Sequence, residues 1–141
     1  MATYNKFHSF VEALAEKQHN LGTDTLKVYL SNATPDAAAD SVKADLAEIT
    51  PGNGYTAGGN TATQTSSAQT GGLYKLVLAD PPTWTATGGP IGPFRYAVLY
   101  NDTATGDPLI AWWDYGASIT LQAGDSIAVD FDPTTGVLTI Q

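Results

Sequence analysis

Two histidines, a trio of aspartates, a glycine-rich run and a set of aromatic residues are the parts of this chain that could do chemistry. His8 and His19 stand eleven residues apart. On one helix that spacing is close to three turns and separates them by about 16 Å along the axis, too far to share a metal ion; a polar helix face accounts for both. Asp125, Asp130 and Asp132 lie around Phe131 near a turn, and carboxylates at i and i+2 can bind calcium. A calcium loop supplies more oxygens in one short stretch, however, and Pro133, Thr134 and Thr135 are ordinary turn residues. Gly52, Gly54, Gly58 and Gly59 have no lysine after them, so the run fits neither the phosphate-loop nor the dinucleotide fingerprint. Ser67, Ser118 and Ser126 sit in no nucleophile elbow. Glycoside hydrolysis needs two placed carboxylates, and nothing in the sequence pairs Glu48, Asp107 or Asp114. The absence of cysteine excludes disulfides, thiolate metal sites and thiol nucleophiles. The expectation is no enzyme, no catalytic residue, no cofactor and no metal.

The aromatic residues are more informative. Trp112, Trp113 and Tyr115 surround Asp114, and Tyr96 and Tyr100 lie either side of Val98. Neighbours on a strand face opposite sides, which assigns one of Trp112 and Trp113 to a core and the other to the outside, where a tryptophan anchors contacts. Trp84 is a third candidate. An outward tryptophan serves either as a sugar-stacking platform or as part of a protein interface; the remaining alternative places all of these rings in the core or under a helix.

These side chains need elements to position them. Phe7, Phe10, Val11, Leu14 and Leu21 recur at three- and four-residue spacing, which predicts a helix over residues 3–21, with Thr3 as cap and Gly22 as stop. Residues 25–30 alternate as a strand, and residues 41–49 read as a short helix capped by Ser41, with Val42, Leu46 and Ile49 at helical spacing. Residues 51–60 form an irregular glycine-rich loop, and the small polar residues 61–70 suit an exposed edge strand. Strands follow at 74–78, 83–87, 94–100, 109–115, 118–121, 126–131 and 137–140, separated by Gly, Pro, Asn and Asp. Ile127, Val129 and Phe131 share one face, as do Leu138 and Ile140. No late helix separates the strands, which disfavours parallel winding. The predicted fold is mostly β: an antiparallel, jelly-roll-like β-sandwich over residues 23–141 with an N-terminal α-helical arm over residues 1–22, in a single domain.

Composition narrows the function. Six Lys and Arg against 14 Asp and Glu give a formal charge of −8, which repels nucleic acid and anionic membrane surfaces; it reads first as a solvated anionic surface that promotes solubility, and it would also suit a basic partner. No apolar run approaches the length of a bilayer span, and the first ten residues lack the charged start and apolar stretch of a signal peptide. The chain is therefore expected to stay in the cytosol or leave it by a route other than secretion. Charged residues are scarce and Thr and Gly abundant, as in β-rich structural and binding domains.

Residues 45–49 (Asp-Leu-Ala-Glu-Ile), 52–59 (Gly-Asn-Gly-Tyr-Thr-Ala-Gly-Gly), 92–102 (Gly-Pro-Phe-Arg-Tyr-Ala-Val-Leu-Tyr-Asn-Asp), 109–116 (Leu-Ile-Ala-Trp-Trp-Asp-Tyr-Gly) and the opening Tyr4-Asn5-Lys6-Phe7 resemble, in the same order over nearly the whole chain, small virion proteins of tailed bacteriophages. In particular the chain is similar to head decoration, or cement, proteins. The resemblance implies a jelly-roll-like sandwich on the capsid exterior, made in the host cytoplasm. It implies dimers or trimers that bridge major capsid protein subunits and lock the shell against the pressure of packaged DNA. It carries over no catalytic residue. Phe7, Phe10, Tyr55, Trp84, Trp112 and Trp113 are then the candidate interface residues, with the N-terminal helix and residues 51–72 carrying contacts between subunits. A tail or fibre component is the first alternative, and a carbohydrate-binding β-sandwich module the second.

Overall fold

The computed structural model describes residues 2–141. The chain is mostly β, with antiparallel sheets and one short α-helix near its N-terminus. The strands are β1 (Thr3–Lys6), β2 (Leu26–Ser31), β3 (Asn60–Thr61), β4 (Gln64–Thr70), β5 (Leu73–Leu78), β6 (Trp84–Thr85), β7 (Ile91–Asn101), β8 (Leu109–Leu121), β9 (Ser126–Ile127) and β10 (Leu138–Ile140), and the helix is α1 (Ser9–Ala15). They make a five-stranded sheet in the order β1-β8-β7-β2-β3, a three-stranded sheet in the order β10-β5-β4, and the β6-β9 pair.

The predicted N-terminal helix is corrected at both ends. Residues 3–6 pair with β8, Thr3 opposite Asp114 and Lys6 opposite Ala111, so Thr3 caps nothing. Helix α1 has seven residues and ends before Lys17, which adopts a left-handed φ of 65°. A helix this short is not self-sustaining; it is held by burial of Phe10 and Ala13. Phe7 and Phe10, expected on one helical stripe, belong to separate cores on opposite faces of the sheet. The second predicted helix, 41–49, shrinks to a single 3-10 turn at Lys43–Asp45. The Asp45 carboxylate closes it by accepting from the Ser41 and Val42 amides and the Ser41 hydroxyl. Leu46 and Ile49 then enter different cores, which no helix face could achieve.

The late strands match expectation in kind, with changed limits. The two strands predicted at 109–115 and 118–121 are one strand, β8, interrupted by a bulge: Phe94 pairs with Ile119 and Tyr96 with Asp114, so residues 115–118 have only Arg95 opposite them. Tyr115, Gly116, Ala117 and Ser118 are pushed outward and exposed. Gly116 occupies φ 97° at that bulge, a conformation that favours glycine. Residues 128–131 leave the ladder after two residues of β9, yet the predicted alternation persists, with Ile127, Val129 and Phe131 turned to the core. Leu138 and Ile140 keep the same face in the unbroken β10–β5 register, but Ile140, at the strand end, is exposed while Leu138 is buried. Residues 64–70 are an edge strand as read from the sequence.

Both faces of the five-stranded sheet are covered. On one, Val28, Leu30, Leu99, Ile110 and Ala111 pack against Leu76 and Leu78 of β5 and Leu138 of β10, which is the sandwich interface. On the other, Tyr29, Tyr96, Val98, Tyr100 and Leu109 are sealed by Phe7 and Leu46. The second cover is loop, not sheet, and needs fixing. Glu48 fixes it. One carboxylate oxygen accepts from the Tyr55 hydroxyl and the Gly58 amide, each at 2.7 Å, and the other pairs with Lys43 at 2.7 Å. Lys43 in turn lies over the Tyr29 and Tyr100 rings. The Tyr55 hydroxyl also accepts from the Leu30 amide of β2 at 3.0 Å, and Gly59 sits so close to Val28 that a Cβ would collide with its carbonyl.

Replacing Glu48 by Ala strands Lys43 and the Gly58 amide together. The expected loss is about 3 kcal/mol of unfolding free energy, with a smaller loss for Glu48→Gln, which keeps one acceptor; urea unfolding followed by tryptophan fluorescence measures both.

Candidate functional site

Most of the sequence-nominated contact residues are committed to the interior. Phe7, Phe10, Tyr55 and Trp84 are 0%, 4%, 3% and 1% exposed, so they present no side chain to a partner. Their aromatic size and spacing matched an interface anchor, but the same properties suit a core, and the sheet needs cover on two faces. Trp112 and Trp113 do face opposite sides, one in each core. Each is half-buried: Trp112 under Phe7, ring centres 4.5 Å apart, and Trp113 between Tyr4 at 5.7 Å and Phe131 at 5.2 Å. The glycine-rich loop 51–60 likewise packs on its own sheet through Tyr55 and Gly59.

Trp113 leads to the site. Around it lies a groove of about 670 Å³ lined by Tyr4, Arg95, Tyr115, Val129, Asp130, Phe131 and Asp132, within the size range of ligand clefts. Strand β1 supplies Tyr4, the bulge in β8 supplies Tyr115, and the segment after β9 supplies residues 129–132. A second, smaller groove of about 310 Å³ continues past Tyr4 and Lys6 and is walled by residues 135–139. It therefore runs between β1, an edge of the large sheet, and β10, an edge of the small one.

The charges in the groove are unbalanced. Arg95 binds Asp114 bidentately, Nε to Oδ1 at 2.7 Å and Nη2 to Oδ2 at 2.8 Å. That hydrogen-bonded pair holds the Asp114 carboxyl below the usual range and raises Arg95, so the guanidinium is neutralised in place. Asp132 accepts from the Thr134 amide and the Thr135 hydroxyl, bonds that hold its carboxyl below the usual range. Asp130 is exposed on the same rim. Two negative charges thus border an aromatic floor. Asp125 caps the Gln122 turn at 2.9 Å. Among the described residues no three His, Cys, Asp or Glu side chains gather as a metal-binding group.

The histidines stand apart from this groove. His8 is exposed and His19 buried. His19 rests on the Phe10 ring at 5.1 Å. The Asn101 amide nitrogen donates to its Nδ1 at 3.1 Å and to Asp24 at 2.6 Å. The Asn101 oxygen accepts from the Thr103 and Ala104 amides, which fixes the amide orientation and makes Nδ1 the acceptor, so the imidazole is neutral with its proton on Nε2.

The signal for the groove was present in the sequence only in pieces. Tyr4 lies inside the stretch whose spacing predicts a helix, and Asp130 and Asp132 carry the pattern of turn carboxylates near Phe131. Nothing in residues 3–6 shows that they lie across from residues 128–139. No protein-family model, no curated protein and no solved structure matches the chain. Fold and groove define it as a mostly-β protein of antiparallel sheets with one short helix and an acid-rimmed aromatic cleft at its sheet edges.

Phe7→Ala is expected to cost about 3–5 kcal/mol, as for other buried aromatic truncations, and to shift Trp112 emission to the red; chemical denaturation with fluorescence detection tests this, and an unchanged midpoint would contradict core placement. Burial lowers the His19 pKa from its ordinary 6.5, with Asp24 opposing the shift. Below that value the unfolded chain takes up a proton that the native pocket resists, so stability falls as pH drops through about 6.5. A thermal-melt series from about pH 8 to about pH 5 should show that loss, and His19→Gln should flatten it.

Proposed function

We propose that this chain is a structural protein of a tailed-bacteriophage virion. In this reading it sits on the capsid exterior, decorates the shell and cements it by bridging major capsid protein subunits, itself as a dimer or trimer. The observation that carries the proposal is the distribution of contact surface. Both faces of the central sheet are sealed by the chain's own side chains, while the edge strands and the aromatic groove stay open. A body of this kind is stiff in the middle and adhesive at its margins. Many symmetric copies of a modest joint accumulate strength. The ordered runs that resemble cement proteins support the same reading, as does a surface poor in cations, suited to protein contacts and unsuited to packaged DNA.

Two other readings draw on the same body. A tail or fibre component would use the same stiff body. A carbohydrate-binding module would use Tyr115, 60% exposed, and Trp113 as stacking surfaces.

The test is a mass-resolved inventory of purified particles separated into heads and tails. The expected result is the chain on heads, at a fixed ratio to the major shell protein, and saturable rebinding to stripped shells. Its absence from particles ends the proposal, and its presence on tails alone transfers it to the tail.

A further inference from the structure

The groove has a shape and chemistry that select one kind of occupant. The ladder between β1 and β8 fixes which backbone groups are free. The Phe7 amide donates to the Ile110 carbonyl at 3.2 Å, which continues the register in which Asn5 faces Trp112 and Thr3 faces Asp114. Hydrogen-bonded and non-bonded pairs alternate in an antiparallel ladder. Thr3 and Asn5 therefore spend their N–H and C=O groups on β8, and Tyr4 and Lys6 turn theirs away from it. Tyr4 and Lys6 are the two β1 residues that line the smaller groove. A strand edge with free donors and acceptors thus opens into the cleft, beside an aromatic floor. An added strand would complete the ladder.

Charge decides what that strand carries. Arg95 is neutralised by Asp114, while Asp130 and Asp132 on the rim have no cation paired with them among the described residues. Lys27 and Lys43 are also held in ion pairs. Lys75 donates to the Thr134 carbonyl at 2.9 Å and pairs with neither rim carboxylate, so a cation that pairs with Asp130 and Asp132 comes from the occupant. At the far end Lys6 provides the opposite charge, so the groove is polar along its length.

The geometry points to the cleft between β1 and residues 128–139 as a docking site for an extended polypeptide segment of a partner protein. That segment pairs with β1, lays apolar side chains on Tyr4, Trp113 and Phe131, and places Lys or Arg beside Asp130 and Asp132. A glycan could stack on the same rings but would leave the Tyr4 and Lys6 backbone groups unused. The inference concerns this face alone and does not depend on residence in a virion, so a peptide titration can succeed where the particle inventory fails.

The test uses the full chain labelled with nitrogen-15 and two capped synthetic peptides, Thr-Val-Arg-Val-Lys-Thr and its acidic counterpart Thr-Val-Glu-Val-Asp-Thr, with a chitin oligosaccharide as a third probe. The basic peptide should produce saturable amide shifts at Tyr4, Lys6 and residues 128–139 and at the Trp113 indole. Its affinity should weaken roughly fivefold in the Asp130→Asn, Asp132→Asn double variant, the scale expected for losing rim charge pairs. Asn keeps an acceptor for the turn at Thr134, and the variant's melting temperature checks its folding. Added salt should weaken binding of the unaltered chain in the same direction. No saturable shift at millimolar basic peptide, equal binding of the acidic peptide, salt-independent affinity, shifts centred elsewhere, or oligosaccharide binding in place of peptide would each overturn the proposal.

Discussion

The arrangement turns on one carboxylate. Glu48 holds Lys43 on one oxygen and both Tyr55 and Gly58 on the other, and through the Tyr55 hydroxyl it reaches the main chain of β2 at Leu30. A loop cannot stack on a sheet as a second sheet does, because its backbone groups need partners that a flat apolar face does not offer. Glu48 and the two tyrosines supply them. The Tyr29 hydroxyl adds a bond to the Leu46 carbonyl, and Ser31 one to the Ala47 carbonyl. Burial and the neighbouring carboxylates push the Tyr29 and Tyr55 phenols well above their ordinary range, so both remain protonated and can donate.

With that cover in place, the central sheet is apolar on both faces, which is unusual for an antiparallel sheet. It consumes aromatic residues. Tyr29, Tyr100, Trp84 and Phe94 are all nearly fully buried. What remains for contact lies at the margins: the bulge at Tyr115, the edge of β1 and the cleft beside it. Natural sheets usually blunt open edges with charge, bulges or short strands. Here β1 is only four residues long and ends on Lys6. That limits indiscriminate pairing and leaves room for a short segment of matching charge.

The neutral His19 pocket plays a quieter part. It joins the turn after α1 to the end of β7 through Asn101 and Asp24. The chain can thus return from the helix to β2 without relying on the short helix itself for stability.

The sequence alone determined the class of fold and most of the strands, because period-two alternation and glycine, proline and aspartate breaks act locally, and local rules need no partner. Ile127, Val129 and Phe131 show this: they keep their common face even where the ladder has ended. It also established that Trp112 and Trp113 face opposite ways. The tertiary structure alone decided whether each aromatic residue would be core or surface, since Phe7, Tyr55 and Trp84 have the same chemistry in either place and only the neighbours that long-range pairing brings over them settle the matter. It decided the N-terminus too. Residues 3–21 carry a helical period, but residues 3–6 pair with β8 and Phe7 and Phe10 are split across two cores, which buries both rings almost completely. The groove belongs to the same category: its walls come from residues more than a hundred positions apart, and a linear pattern carries no record of that distance closing.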